Sequence, residues 1–220
     1  MRKIKAIIFD FDGTLVDSEN IHYQSWNTVL ISFHYELSSR DYFENLAGVP
    51  TLGNASYVKV KYALKQNITT LVDLKEQATT KIMATERVRF MPYAKELLDF
   101  LYQKNIPMSI VTGSSRKELD PFLTSENIRH YFKHTITRDD VNLSKPNPEG
   151  YLKCAQLMGF KKTDYLVLED TQGGIAAAKA ANLTCFGIQS DTSLHHKLQG
   201  ADTIFANLEE AFLHFKPIVL

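Results

Sequence analysis

Cysteine is almost missing from this 220-residue chain, which has only Cys154 and Cys185. Both lie in apolar stretches without a metal-type or redox-type partner nearby, so a disulfide framework is not expected. Charge of one sign is lacking too, since 25 Lys+Arg stand against 25 Asp+Glu. That balance leaves no electrostatic footprint for nucleic acid or an anionic membrane. A phosphate-bearing ligand would have to be held by a local site. No long hydrophobic run is present: the apolar stretch Ala6-Ile7-Ile8-Phe9 is cut by Asp10 and is too short for a signal peptide or a membrane span. A cytoplasmic, reduced protein, monomeric by default, is therefore expected. Repeats and low-complexity tracts are absent as well. At 44% hydrophobic and 11% aromatic residues the chain is not of the disordered class.

Four short apolar runs, 4–9, 107–111, 165–168 and 184–188, read as buried parallel strands. Between them lie helical patterns: Ala94, Leu97, Leu98 and Leu101 follow i, i+3, i+4, i+7, and a run from Ile175 stops near Asn182, a suitable C-cap. Alternation of this kind predicts an α/β fold, a doubly wound Rossmann-like parallel sheet with ligands at the carboxyl ends of the strands. Residues 17–87 break the rhythm, with helical patterns and turns but no convincing strand. About 70 residues are too many for an ordinary connection, so an inserted all-helical subdomain over 17–87 is expected, the core being 1–16 and 88–220.

Chemistry-bearing residues gather at the strand ends. Asp10-Phe11-Asp12-Gly13-Thr14 closes the first apolar run, and residues two apart on an extended chain face the same side. Neighbouring carboxylates repel, and a divalent cation or a shared proton relieves them; a plain Asx-turn is the alternative. Thr112-Gly113-Ser114 offers a hydroxyl and main-chain N–H groups at a helix start, which suits an anionic oxygen, although Ser114 or Ser115 can equally serve as a helix cap. Lys145, in Ser144-Lys145-Pro146-Asn147-Pro148, can point inward to neutralise phosphate or remain a solvated lysine. Glu169-Asp170, before Thr171-Gln172-Gly173-Gly174, suits a hard cation such as Mg2+ or, alternatively, helix capping by Asp170 or Thr171.

Taken in order, acid pair, hydroxyl, lysine and acid pair resemble the four motifs of the haloacid dehalogenase-like hydrolase superfamily. The likeness runs over essentially the whole chain, and Leu15-Val16-Asp17-Ser18 continues the first motif. The insertion is similar to the helical cap of the beta-phosphoglucomutase-like branch. What the resemblance implies is phosphoryl transfer through an aspartyl-phosphate. Asp10 would be the nucleophile and Asp12 the general acid and then base. Mg2+ would lie between the Asp10 carboxylate, the Asp12 main-chain carbonyl and Asp170, with Glu169 in support. Thr112, the Gly113 and Ser114 N–H groups and Lys145 would bind the phosphoryl oxygens. His22 and Trp26 match a His-x-x-x-Trp pattern of the branch, His22 as a contact to the leaving group and Trp26 as packing, while Lys59, Lys61 and Lys65 read as a solvated face. Arg116 is a further candidate for substrate contact.

Departures from the family pattern narrow the activity. Its sugar-phosphate mutases have basic residues flanking a cap-loop glycine, whereas Ala47 and Thr51 flank Gly48 here. Residues 49–57 contain no lysine for a Schiff base, and a halide-displacing enzyme has no need of Asp12 or the Glu169-Asp170 pair. The expected function is a Mg2+-dependent phosphatase acting on a small phosphomonoester such as a sugar phosphate. A beta-phosphoglucomutase-type isomerase is the first alternative, and a phospho-receiver or a silent binding relative is more remote.

Overall fold

In the computed structural model, which describes residues 3–219, the apolar run after Lys5 forms strand β1 (Ala6–Phe9), buried at every position. Short strands β2 (Val16–Asp17) and β3 (Arg89–Phe90) make a two-stranded ladder. Strands β4 (Met108–Val111), β5 (Phe132–Ile136), β6 (Tyr165–Glu169), β7 (Thr184–Ile188) and β8 (Thr203–Phe205) join β1 in a six-stranded sheet of order β5-β4-β1-β6-β7-β8. Every pairing in it is parallel. The α/β doubly wound fold is thus present, but with two strands that the apolar runs do not announce. β5 (FKHTI) and β8 (TIF) lie at the two edges, where half-exposed, polar-bearing strands lack the continuous hydrophobic signature of central ones.

β1 is the hinge of the topology. Its residue Ile7 pairs with Met108 on one side and Leu166 on the other, and Phe9 with Ile110 and Leu168. The chain runs outward from β1 through β4 and β5 and then, from β6, outward on the opposite side. A reversal of this kind opens a crevice at the carboxyl ends of the strands beside it. Helices α7 (Glu149–Met158) and α8 (Gln172–Ala180) cover one face, where Tyr151, Cys154, Ile175 and Ala178 pack on Ala6, Ile8 and Val167. α5 (Ala94–Gln103) and α9 (Leu208–Val219) pack against each other, with Phe100 and Phe212 rings 4.9 Å apart. α8 ends at Ala180, and Asn182 follows in the left-handed region (φ 60°), the conformation that turns a helix end.

Residues Ser18–Arg89 form a second compact unit. It consists of helices α1 (Glu19–Ile31), α2 (Ser39–Asn45), α3 (Thr51–Lys61) and α4 (Ile68–Met83). Asn67 starts α4 by accepting from Thr70 N at 2.7 Å, as an N-cap does. Trp26, Leu30, Leu37, Tyr42, Val58 and Leu71 form its own apolar core. Lys59 closes the end of α3 on Leu64 O and Gln66 O, and Lys61 pairs with Asp41 at 2.6 Å. Among the described residues no helix is long and apolar enough to cross a membrane.

Candidate active site

The chain leaves β1 at Asp10, whose N–H still bonds Leu168 O at 2.9 Å, so the carboxylate is delivered directly from the central ladder. The turn that follows needs Gly13: φ is +79°, and a Cβ there would overlap the Asp170 carboxylate. Thr14 Oγ1 donates to Asp170 Oδ1 at 2.9 Å, which fixes that acid against the turn. Carboxylate oxygens of Asp10, Glu169 and Asp170 fall within 4.8 Å of one another.

Lys145 joins two of these acids. Its Nζ donates to Asp10 Oδ1 at 2.5 Å and to Glu169 Oε1 at 2.6 Å, and the three side chains are 11%, 7% and 0% exposed. Glu169 gathers further donors: the Tyr151 hydroxyl at 2.8 Å on Oε1, and Asp170 N, Thr171 N and Thr171 Oγ1 at 3.0–3.1 Å on Oε2. A buried carboxylate is tolerable only with its lone pairs answered in this way. Gly174, in the first turn of α8, gives Glu169 room, since a Cβ there would run into its carboxyl group. Burial, opposed by Lys145 and reinforced by Glu169 and Asp12, pushes the Asp10 carboxyl up to about 7. Burial alone would lower Lys145, yet the Asp10 and Glu169 carboxylates outweigh it and hold the ammonium above its ordinary value. Burial also raises both thiols, Cys154 to about 12, and so leaves them unreactive at neutral pH.

Asp12 meets two hydroxyls. Ser114 Oγ donates to its Oδ2 at 2.5 Å, and Thr112 Oγ1 lies 3.4 Å from the same oxygen. The Ser114 N–H, one of the groups expected at a phosphoryl oxygen, bonds Thr112 Oγ1 at 2.9 Å within the turn, while Gly113 is exposed beside it. Helix α6 (Arg116–Ser125) is started by Ser115, whose N–H donates to Glu118 Oε2 at 2.7 Å.

The expected set Asp10, Asp12, Thr112, Ser114, Lys145, Glu169 and Asp170 is therefore assembled at one end of the sheet. Arg116 donates from its guanidinium to Asp140 at 2.6 Å and to Thr135 O at 3.1 Å, and from its main-chain N–H to Asp139, so it ties the start of α6 to the segment after β5. His22 lies on α1 in the helical unit, its Nδ1 3.1 Å from Lys75 Nζ. Lys75 is 3% exposed and was not foreseen from the sequence. The signal was there, because Leu71, Lys75, Ala78 and Thr79 share i, i+4, i+7, i+8 spacing, which sets a lysine on the buried stripe of α4. Tyr151 also escaped notice, as nothing local links it to Glu169.

Fold and site define a haloacid dehalogenase-like hydrolase, and the chain belongs to that family, whose model matches residues 7–188. It is a phosphoric monoester hydrolase. Among its relatives is a fructose-1-phosphate phosphatase of Escherichia coli, 31% identical over 84% of this chain and 96% of that one. A phosphoglycolate phosphatase of Photorhabdus laumondii is 29% identical over 86% of this chain and 81% of that one. A solved putative beta-phosphoglucomutase from Bacteroides vulgatus superposes with a TM-score of 0.80 at 26% identity, covering 98% of this chain and 89% of that one, and supports the beta-phosphoglucomutase-like branch.

Proposed function

We propose that the protein is a Mg2+-dependent phosphatase of small phosphomonoesters, sugar phosphates foremost, and that it works through an aspartyl-phosphate on Asp10. The observation that carries this reading is the Lys145 ammonium bridging Asp10 and Glu169 next to Asp170. Two buried carboxylates on one ammonium leave a negative excess, which adds to burial in raising the Asp10 pKa. The all-oxygen donor set and that excess fit a hard divalent cation. Asp10, the Asp12 main-chain carbonyl and Asp170 would hold Mg2+, with Glu169 in support, and the ion would supply charge neutralisation at the phosphoryl group.

The residues divide the remaining work. An Asp10 carboxylate oxygen forms the bond to phosphorus while the bond to the ester oxygen breaks. Asp12 gives its proton to that leaving oxygen and then takes one from the water that attacks the aspartyl-phosphate, releasing orthophosphate and restoring Asp10. Lys145 and Thr112 meet the phosphoryl oxygens, and the Gly113 N–H is the exposed amide of that turn. The helical unit would act as the cap, with His22, held by Lys75, as the contact to the leaving group.

An assay of glucose 1-phosphate and a panel of sugar and short-chain phosphates, scoring both orthophosphate and glucose 6-phosphate, tests the reading. Orthophosphate release that EDTA abolishes and that Asp10→Asn lowers at least about a thousandfold is expected. Glucose 6-phosphate with little orthophosphate would establish an isomerase instead.

A further inference from the structure

A general acid has to present its proton to one atom from one direction. Asp12 sits in the turn after β1, its main chain bridged to Val16, and its side chain is only half-buried. Packing alone does not orient such a carboxylate. Ser114, in contrast, is 7% exposed and is fixed on both sides: its N–H is bonded to Thr112 Oγ1 at 2.9 Å, and its carbonyl accepts from Arg138 N at 3.1 Å. Capping of α6 falls to Ser115, so the Ser114 hydroxyl is not needed there and donates to Asp12 Oδ2 at 2.5 Å. A hydroxyl donating to a carboxylate at that distance belongs to the strong, charge-assisted class.

We infer that Ser114 is a positioning residue for Asp12, holding its carboxylate in the orientation from which the proton passes to the leaving oxygen. The inference rests on the reading of Asp12 as the acid, and it gives the Ser114 side chain a role separate from phosphate binding. Its signature follows from the chemistry of the first half-reaction. As the bond from Asp10 to phosphorus forms, the ester oxygen keeps the electron pair of the breaking bond. A sugar oxygen leaves as a strongly basic alkoxide unless Asp12 protonates it, whereas nitrophenolate leaves without a proton. A residue that acts through Asp12 is therefore felt on sugar phosphates and hardly on p-nitrophenyl phosphate. One that binds phosphoryl oxygens is felt equally on both.

The experiment compares kcat/KM, which reports the first half-reaction, for the best sugar phosphate of the panel and for p-nitrophenyl phosphate. Ser114→Ala is expected to lower the sugar-phosphate value at least about tenfold and the nitrophenyl value less than about threefold. Ser114→Thr, which keeps a hydroxyl, is expected to recover most of the loss. In an Asp12→Asn background Ser114→Ala should change neither value, because the group it orients is gone. Equal losses on the two esters, or a loss that persists beside Asp12→Asn, overturn the inference and make Ser114 a phosphate ligand. Asp12→Asn losing both esters equally would instead remove Asp12 as the acid, and this role of Ser114 with it. Circular dichroism and melting of each variant separate these outcomes from misfolding.

Discussion

Asp10 and Glu169 share the ammonium of Lys145, and burial holds the Asp10 carboxyl up at about 7 against an ordinary 3.8. The native state then keeps a proton that the unfolded chain releases between those values. The contribution of Asp10 to stability is accordingly greatest below about pH 4 and is lost as pH rises through 7. Asp10→Asn removes a carboxylate that the fold resists ionising. In EDTA the variant is expected to melt above the wild type at pH 8, with the gap closing toward pH 4 in calorimetry. A gap that widened on acidification would contradict the sign. Most of this constellation was legible beforehand, because acids, a hydroxyl and a lysine at strand ends stand out against apolar runs. Tyr151 was not, since it acquires its meaning from Glu169 on β6, and the spacing on α4 sets Lys75 on the buried stripe without announcing its partner, His22 on α1.

At the level of elements, neighbouring serines at the start of α6 have different tasks. Ser115 and Glu118 form a reciprocal cap at the N-terminus of the helix, with both residues buried. Ser115→Ala is expected to cost roughly 0.5–2 kcal/mol, the usual range for an N-cap. Urea unfolding should show the midpoint falling at unchanged slope, and the preference between sugar and nitrophenyl esters should stay as in the wild type. A changed preference would mean that the cap and the Asp12 contact are not separable. The central strands could be read in advance because they are buried almost throughout and mostly apolar. Edge strands β5 and β8 could not, since Lys133, His134 and Thr203 interrupt the pattern that solvent on one side permits.

On the scale of the whole molecule, the sheet unit and the helical unit have cores of their own. Trp26 is fully buried in the second, as its packing role required. Trp26→Ala should cost roughly 3–5 kcal/mol, as large-to-small changes in a core do. Hydrogen exchange is expected to show that loss in α1 and α4 while β1, β4 and β6 keep their protection. Equal loss everywhere would show a single cooperative unit.

The central place of β1 has a consequence for the order of synthesis. β1 precedes both of its partners by a long stretch of chain, because its two neighbours, β4 and β6, begin at Met108 and Tyr165. Between β1 and β4 the ribosome delivers the helical unit Ser18–Arg89, a compact unit that can form without waiting for the sheet. Its length adds little to the entropy of closing the strand pair, since that cost grows only logarithmically. The acids are separated in the same way, and an unfinished chain that ends before Glu169 carries Asp10 without Glu169 and Asp170. Such a chain lacks the acidic cluster that the finished sheet brings together.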